Sequence, residues 1–371
     1  LRIAIVTETF LPSTDGVVTR LTQAIKYFRT IGHEVLVIAP DLGVTEYEGA
    51  RVEGIKPITL PFYQYKKFAL PSKKVKTLLE EFQPNIIHAA NPVLIAASAV
   101  NYARKLNVPL LASYHTHIPK YLDYYKIYKP GKPILWKYIR KLHNAADLNL
   151  CTSETIEKEL VEQGIQKLHV LQRGVDTVNH HPEFYSKKMR NRLTRGDQSK
   201  KLLLFVGRLA IEKEIHKIKP LLEERDDIAL AIIGDGPARN SLMQQFKGTN
   251  TIFTGFLHGK ELSQAFASAD AFVFPSVTET LGLVILEAMA SGLPVIAAKS
   301  GPTMEQIRDG ETGVLFENEN IESLMKAVSV IEDDETLQQM KKHAREEAEK
   351  YAWDNASQQL LEFYEATIDA H

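Results

Sequence analysis

Two carboxylates, Glu279 and Glu287, stand eight residues apart in the run Pro275-Ser-Val-Thr-Glu279-Thr280-Leu281-Gly282-Leu283-Val-Ile-Leu-Glu287. Along a helix that separation is about 12 Å, less where a loop folds back. A carboxylate pair doing acid/base work on a glycosidic bond stands about 5 to 9.5 Å apart. The pair therefore suits the two ends of one extended ligand. Between them, Gly282 precedes Leu283, Leu286, Met289 and Ala290, spaced as one apolar helical face. A helix start there would offer free N–H groups and a positive dipole end to a diphosphate. A sugar at one glutamate, a diphosphate on the helix start and a ribose at the other is the layout of a nucleotide sugar. The bland alternative is an ordinary strand-to-helix turn whose glutamates are solvated.

Three further groupings bear on that choice. Gly207-Arg208-Leu-Ala-Ile-Glu-Lys213 places two cations just past an apolar run, a planar fork and a point charge suited to phosphate. Gly234-Asp-Gly236-Pro237 reads as a tight turn against which a planar base could lie. His115 ends the apolar run that starts at Pro109, and Gly16 opens a helical pattern after the first apolar run. Each is commonplace alone, and a histidine at a strand end is commonly structural. Three ligand-shaped loops on one sheet edge form a less ordinary combination.

The elements that must position these groups alternate. Apolar runs at Arg2–Thr7, His33–Pro40, Asn85–Ala90, Pro109–His115, Leu148–Ser153 and Leu168–Gln172 read as strands. Helical patterns lie between most of them. A polar, charged stretch, 177–200, reads as a linker region. A second alternation follows, with strands at Leu202–Gly207 and Ile228–Gly234. This pattern predicts α/β domains with parallel sheets and ligands at the C-terminal ends of strands. No G-x-G-x-x-G follows the first strand, which argues against a dinucleotide cofactor.

At 371 residues the chain is long enough for about two domains. Its 44% hydrophobic and 25% charged content are those of a globular protein. No apolar run approaches the roughly 18 residues of a membrane span, and no signal peptide is expected. Cys151 is the single cysteine, so neither a disulfide nor a cysteine metal site is expected. Residues 1–195 hold 28 Lys and Arg against 17 Asp and Glu; residues 196–371 hold 17 against 29. A basic half and an acidic half predict domains with different partners.

Two basic, aromatic stretches in the first half suit an anionic membrane surface, or a solvated face over core aromatics. One runs from Pro57 to Lys76 and carries Lys66, Lys67, Lys73 and Lys74. The other, from Lys120 to Lys141, carries Lys120, Tyr124, Tyr125 and Trp136.

Taken together the motifs resemble those of the retaining GT-B glycosyltransferases of family 4. Within it, Thr7-Glu-Thr-Phe-Leu-Pro, Asp15-Gly-Val-Val-Thr-Arg20, Ser113-Tyr-His-Thr-His117, Glu212-Lys-Glu214 and Glu279-Thr-Leu-Gly282 resemble the sulfoquinovosyltransferases of sulfolipid synthesis. The resemblance implies two facing Rossmann-like domains with an interdomain crevice. They would span 1–180, rejoined by a terminal helix over 353–371, and 196–350. It implies that Glu279 and His115 meet the donor sugar and Glu287 the ribose. Arg208 and Lys213 would take the diphosphate above Gly16. Gly234, Gly236 and the Thr280, Leu281, Gly282, Leu283 stretch would complete the nucleotide-sugar site. No metal and no cofactor are implied. The partners implied are a UDP-linked donor, UDP-sulfoquinovose, and membrane diacylglycerol, without nucleic acid; oligomeric state stays open. A peripheral protein on a cytoplasmic or plastid stromal membrane face follows. UDP-glucose or GDP-mannose as donor, a nucleotide-sugar epimerase and a non-catalytic binder are the alternatives. Two positions depart from the pattern: His180 stands where phenylalanine is usual, and Ser300-Gly301-Pro302-Thr303 where a double glycine is usual.

Overall fold

Long apolar runs of four to seven residues with both faces buried can only be satisfied in sheets covered on both sides. The structure, a computed structural model, shows two such sheets and describes residues 1–60, 63–123 and 130–371. Tyr124 and Tyr125, expected at a membrane, lie outside the described residues.

The first unit comprises Leu1–Gly174 and Trp353–His371. Its strands are β1 (Arg2–Thr7), β2 (Glu34–Pro40), β3 (Glu46–Tyr47), β4 (Ala50–Ile55), β5 (Pro57–Leu60), β6 (Tyr63–Ala69), β7 (Ile86–Ala90), β8 (Leu110–Ser113), β9 (Leu148–Cys151) and β10 (Leu168–Val170). Eight form a sheet ordered β10-β9-β8-β7-β1-β2-β4-β3, parallel except at β3; β5 and β6 pair as a hairpin. The order reverses beside β1, so the loops that follow β1 and β7 open at the switch point where α/β sheets bind ligands. The terminal helix Trp353–Asp369 buries Leu360, Leu361 and Tyr364 with Ile3, Ile5 and Phe28.

The second unit is Val175–Ala352. Here β11 (Lys201–Val206), β12 (Ile228–Ile233), β13 (Thr251–Gly255), β14 (Ala271–Phe274), β15 (Val295–Ala298) and β16 (Gly313–Phe316) lie parallel in the order β13-β12-β11-β14-β15-β16. Its switch point falls between β11 and β14.

The segment 177–200 is not a linker. It carries a 3-10 turn, Pro182–Phe184, and the helix Lys187–Leu193. Met189 and Leu193, four residues apart, enter the core of the second unit, while Arg190 pairs with Asp270 at 2.9 Å. High charge content hid an amphipathic turn whose half-buried guanidinium has a partner. His180 sets its ring edge-on to Phe266, with centroids 5.3 Å apart, so the departure from phenylalanine keeps an aromatic packing role.

Candidate functional site

In the second unit the site is assembled by the loops after β11, β12 and β14. The first two are joined backbone to backbone. Leu209 N–H donates to Asp235 O at 2.9 Å and Ala238 N–H to Leu209 O at 2.8 Å. A Cβ on Gly234 would strike the Gly207 carbonyl, and one on Gly236 the Leu209 carbonyl. The Gly-Asp-Gly turn was expected to clear room for a base. Its glycines are required first by the neighbouring loop.

Past that junction the chain makes a 3-10 turn, Ile211–Lys213. Glu212 is buried; its carboxylate accepts from Arg208 Nη2 at 2.5 Å. Its carbonyl accepts from the buried hydroxyls of Ser276 at 3.3 Å and Thr278 at 3.1 Å. These bonds fasten the β14 loop to the β11 loop and bring Lys213 into an ion pair with Glu279, the two side chains 14% and 17% exposed. Glu214 follows at φ 54°, left-handed backbone that favours glycine. Here the glutamate is buried and bonds Lys217 at 2.6 Å.

Thr280 and Leu281 are buried, and Gly282 begins the helix Leu283–Ala290 at φ 71° without any side-chain cap. That leaves N–H groups of the first turn for a ligand. The Gln306 amide donates to the Leu281 carbonyl and steadies this start. Gln306 lies on the helix Gly301–Gln306, where Ser300 and Thr303 form a reciprocal capping box. The Ser-Gly-Pro-Thr departure is therefore a helix cap. Glu287 sits half-buried on the second turn, its carboxylate without a hydrogen-bond partner among the described residues. Arg208, Lys213, Glu279 and the Thr280–Leu283 stretch are thus brought together, with Gly234 and Gly236 behind them. An ammonium, a guanidinium and an open helix start together can hold a diphosphate.

In the first unit the groups gather around the start of the helix Gly16–Thr30. Asp15 caps it, accepting from Val17 N–H and Val18 N–H at 3.1 Å each. Lys66 pairs with Asp15 at 2.7 Å. Burial pushes the Asp15 carboxyl up, but Lys66, the Val18 N–H and the Thr9 hydroxyl leave it below its ordinary value. Glu8 accepts from the N–H groups of Val93, Leu94, Ile95 and Ala96, capping the helix Ile95–Leu106 from outside it. His115, 9% exposed, follows β8, and the Asn91 side chain accepts from the His115 and Thr116 N–H groups. Burial, with Arg20 and His88 nearby, holds its imidazole well below the ordinary value, hence neutral at pH 7.

Two residues expected at a membrane are placed otherwise. Trp136 is 7% exposed and stacks on Tyr114 with centroids 6.4 Å apart, because its helix Lys132–His143 turns that face inward. Lys66 is engaged by Asp15. Lys67, Lys73 and Lys74 are exposed and Lys120 is half-buried. The pattern missed Glu8, Asn91, Glu212, Ser276, Thr278 and Gln306, all positioning groups. Ser276 and Thr278, two apart after Pro275, were the readable signal.

The family models for Glyco_transf_4, glycosyltransferase family 4, and for glycosyl transferases group 1 match residues 14–179 and 188–349. A sulfoquinovosyl transferase of Arabidopsis thaliana is 41% identical over 95% of this chain and 71% of its own length. This chain belongs to glycosyltransferase family 4. It is a glycosyltransferase, an enzyme. A GDP-mannose-dependent alpha-mannosyltransferase of Corynebacterium glutamicum is 33% identical over 99% of this transferase and 89% of that protein. The transferase has the GT-B fold. HepE of Anabaena, solved in complex with UDP-glucose, matches 98% of it and 99% of its own chain at TM-score 0.80 and 21% identity.

Proposed function

We propose that this transferase moves sulfoquinovose from UDP-sulfoquinovose to diacylglycerol with retention at the anomeric carbon. The observation that carries the reading is the 41% identity to a sulfoquinovosyl transferase, spread over 95% of the chain. The second unit supports the nucleotide-sugar part: the Lys213–Glu279 pair stands beside the open start of the helix Leu283–Ala290.

In this reading the diphosphate lies on the helix start, and Arg208 and Lys213 stabilise the charge that grows on the leaving phosphate. Glu287 binds the ribose hydroxyls, while Glu279 and His115 hold the sugar. No side chain is assigned as a covalent nucleophile. The UDP oxygen leaves from the face at which the acceptor hydroxyl arrives, and the leaving phosphate takes that hydroxyl's proton. Charge neutralisation by the two cations and the helix dipole replaces a metal.

A nucleotide-release assay with UDP-sulfoquinovose, UDP-glucose and GDP-mannose, each with and without diacylglycerol vesicles, tests this. UDP release that needs both UDP-sulfoquinovose and diacylglycerol is expected. Release favouring GDP-mannose would support the second reading, which rests on 33% identity to a mannosyltransferase. Release without any acceptor would point to an epimerase.

A further inference from the structure

Four buried polar side chains of the first unit form an unbroken hydrogen-bond chain across the sheet. Tyr364 Oη, on the terminal helix, lies 2.7 Å from His88 Nδ1 on β7. His88 Nε2 lies 2.6 Å from Ser113 Oγ at the end of β8, and Ser113 Oγ lies 2.7 Å from His115 Nε2. His88, Ser113 and Tyr364 are essentially fully buried.

The chain has one favourable direction. His88 is the only partner of the Tyr364 hydroxyl among the described residues. Were His88 Nδ1 the donor, the tyrosine proton would lie buried without an acceptor, at a cost of about 1–3 kcal/mol. Tyr364 therefore donates to Nδ1. Burial holds His88 near 3 and raises Tyr364, so the imidazole is neutral and the phenol keeps its proton. A neutral His88 that accepts at Nδ1 must donate from Nε2 to Ser113. The Ser113 hydroxyl is fully buried and has no partner besides His88 and His115 among the described residues, so its single proton, which would otherwise be left without an acceptor, goes to His115 Nε2. That nitrogen is an acceptor, and the one proton of the neutral His115 ring sits on Nδ1.

We propose that Tyr364, His88 and Ser113 are positioning residues that lock His115 as its Nδ1–H tautomer, so that the ring presents a hydrogen-bond donor to an oxygen of the bound sugar. This rests on the reading of His115 as a residue that meets the donor sugar. It gives the terminal helix a share in the site as well as in the core: the helix carries the hydroxyl that sets the direction of the whole chain. An acceptor histidine would favour a sugar hydroxyl's proton. A donor histidine can also serve a carbonyl, sulfonate or ring oxygen, which have no proton to give.

The test is nitrogen NMR of the full chain with 15N-labelled histidine, His115 being assigned by its loss in His115→Gln. The wild type is expected to show a proton on Nδ1 and none on Nε2. Ser113→Ala and Tyr364→Phe should each give a tautomer mixture, with kcat for nucleotide release down about tenfold and donor KM within about twofold. Ser113→Thr, which keeps the hydroxyl, should restore both. A wild-type ring protonated on Nε2 would overturn the proposal, as would an unchanged tautomer in both variants. A chain inert with every sugar donor would remove the transfer reading alone, since the spectra decide the tautomer without substrate.

Discussion

Lys213 and Glu279 compensate each other at close range, and both are nearly buried. In the proposed reading, a diphosphate arriving on the helix start competes with Glu279 for the ammonium, and the freed carboxylate becomes available to sugar hydroxyls. Removing the cation costs most when charge grows on the leaving group. Lys213→Ala is expected to lower kcat about 10²–10³-fold while weakening UDP binding much less. Arg208→Ala should behave likewise, with Glu212 left buried and unpaired. Glu287→Ala is expected to do the reverse: the hydrogen bonds to ribose proposed for it would persist in ground and transition states, so UDP affinity should fall by roughly 1.5–3 kcal/mol. Calorimetry of UDP together with steady-state kinetics separates the two patterns. Wild-type turnover in Lys213→Ala, or wild-type UDP affinity in Glu287→Ala, would refute the assignment concerned.

The loops after β11 and β12 are joined to each other through backbone contacts. Gly236 stands at φ 158°, and an added Cβ would meet the Leu209 carbonyl. Gly236→Ala must push the two loops apart and disturb the Leu209–Asp235 and Ala238–Leu209 hydrogen bonds. A loss near the upper end of the common range of about 0.5–3 kcal/mol is expected, read as a lower thermal midpoint. UDP should lose affinity in the same variant, because the β11 loop carries Arg208 and Lys213. An unchanged midpoint would show that the junction yields freely. Gly174 makes a comparable demand in the first unit, where a Cβ would enter the ring of Trp353 at the start of the terminal helix.

At the scale of the whole molecule the charge division is weaker by unit than by half: the first unit holds 23 Lys and Arg against 19 Asp and Glu and the second 22 against 27, because the acidic terminal helix joins the first and the basic stretch 175–195 the second. No helix among the described residues is long and apolar enough to cross a membrane. The proposed diacylglycerol acceptor calls for a docking surface, and we propose exposed Lys67, Lys73 and Lys74, beside the start of the helix Lys73–Phe82, as that surface. Two lysines on a helix start oppose its dipole, an arrangement an anionic surface would relieve. Replacing Lys67, Lys73 and Lys74 with Glu should abolish co-sedimentation with vesicles rich in anionic lipid and leave UDP affinity intact, each cation contributing about 1 kcal/mol. Lys66 stays unchanged in this variant, since a glutamate beside Asp15 would disturb the helix cap. Binding indifferent to the substitutions, to lipid charge or to salt would rule the surface out.

The α/β class, the alternation of strands and helices and the carriers of charge at strand ends were legible in the sequence, because they follow from local periodicity and from residue chemistry. The Glu279 to Glu287 run announced its helix start through Gly282 and the apolar spacing behind it. Tertiary structure alone decided which of these charges meet. Lys213 and Glu279 are 66 residues apart and are joined through Ser276, Thr278 and the Glu212 carbonyl; two hydroxyls after Pro275 mark a polar loop, but nothing local tells which carbonyl they will bond. The helix Lys187–Leu193 and the burial of Trp136 escaped for a related reason: composition records charge and aromatic content, not the direction a side chain takes once its helix has docked. The Tyr364–His88–Ser113–His115 chain spans three elements and 276 residues of sequence separation between its first two members. Only packing the terminal helix onto the sheet brings that hydroxyl to that imidazole.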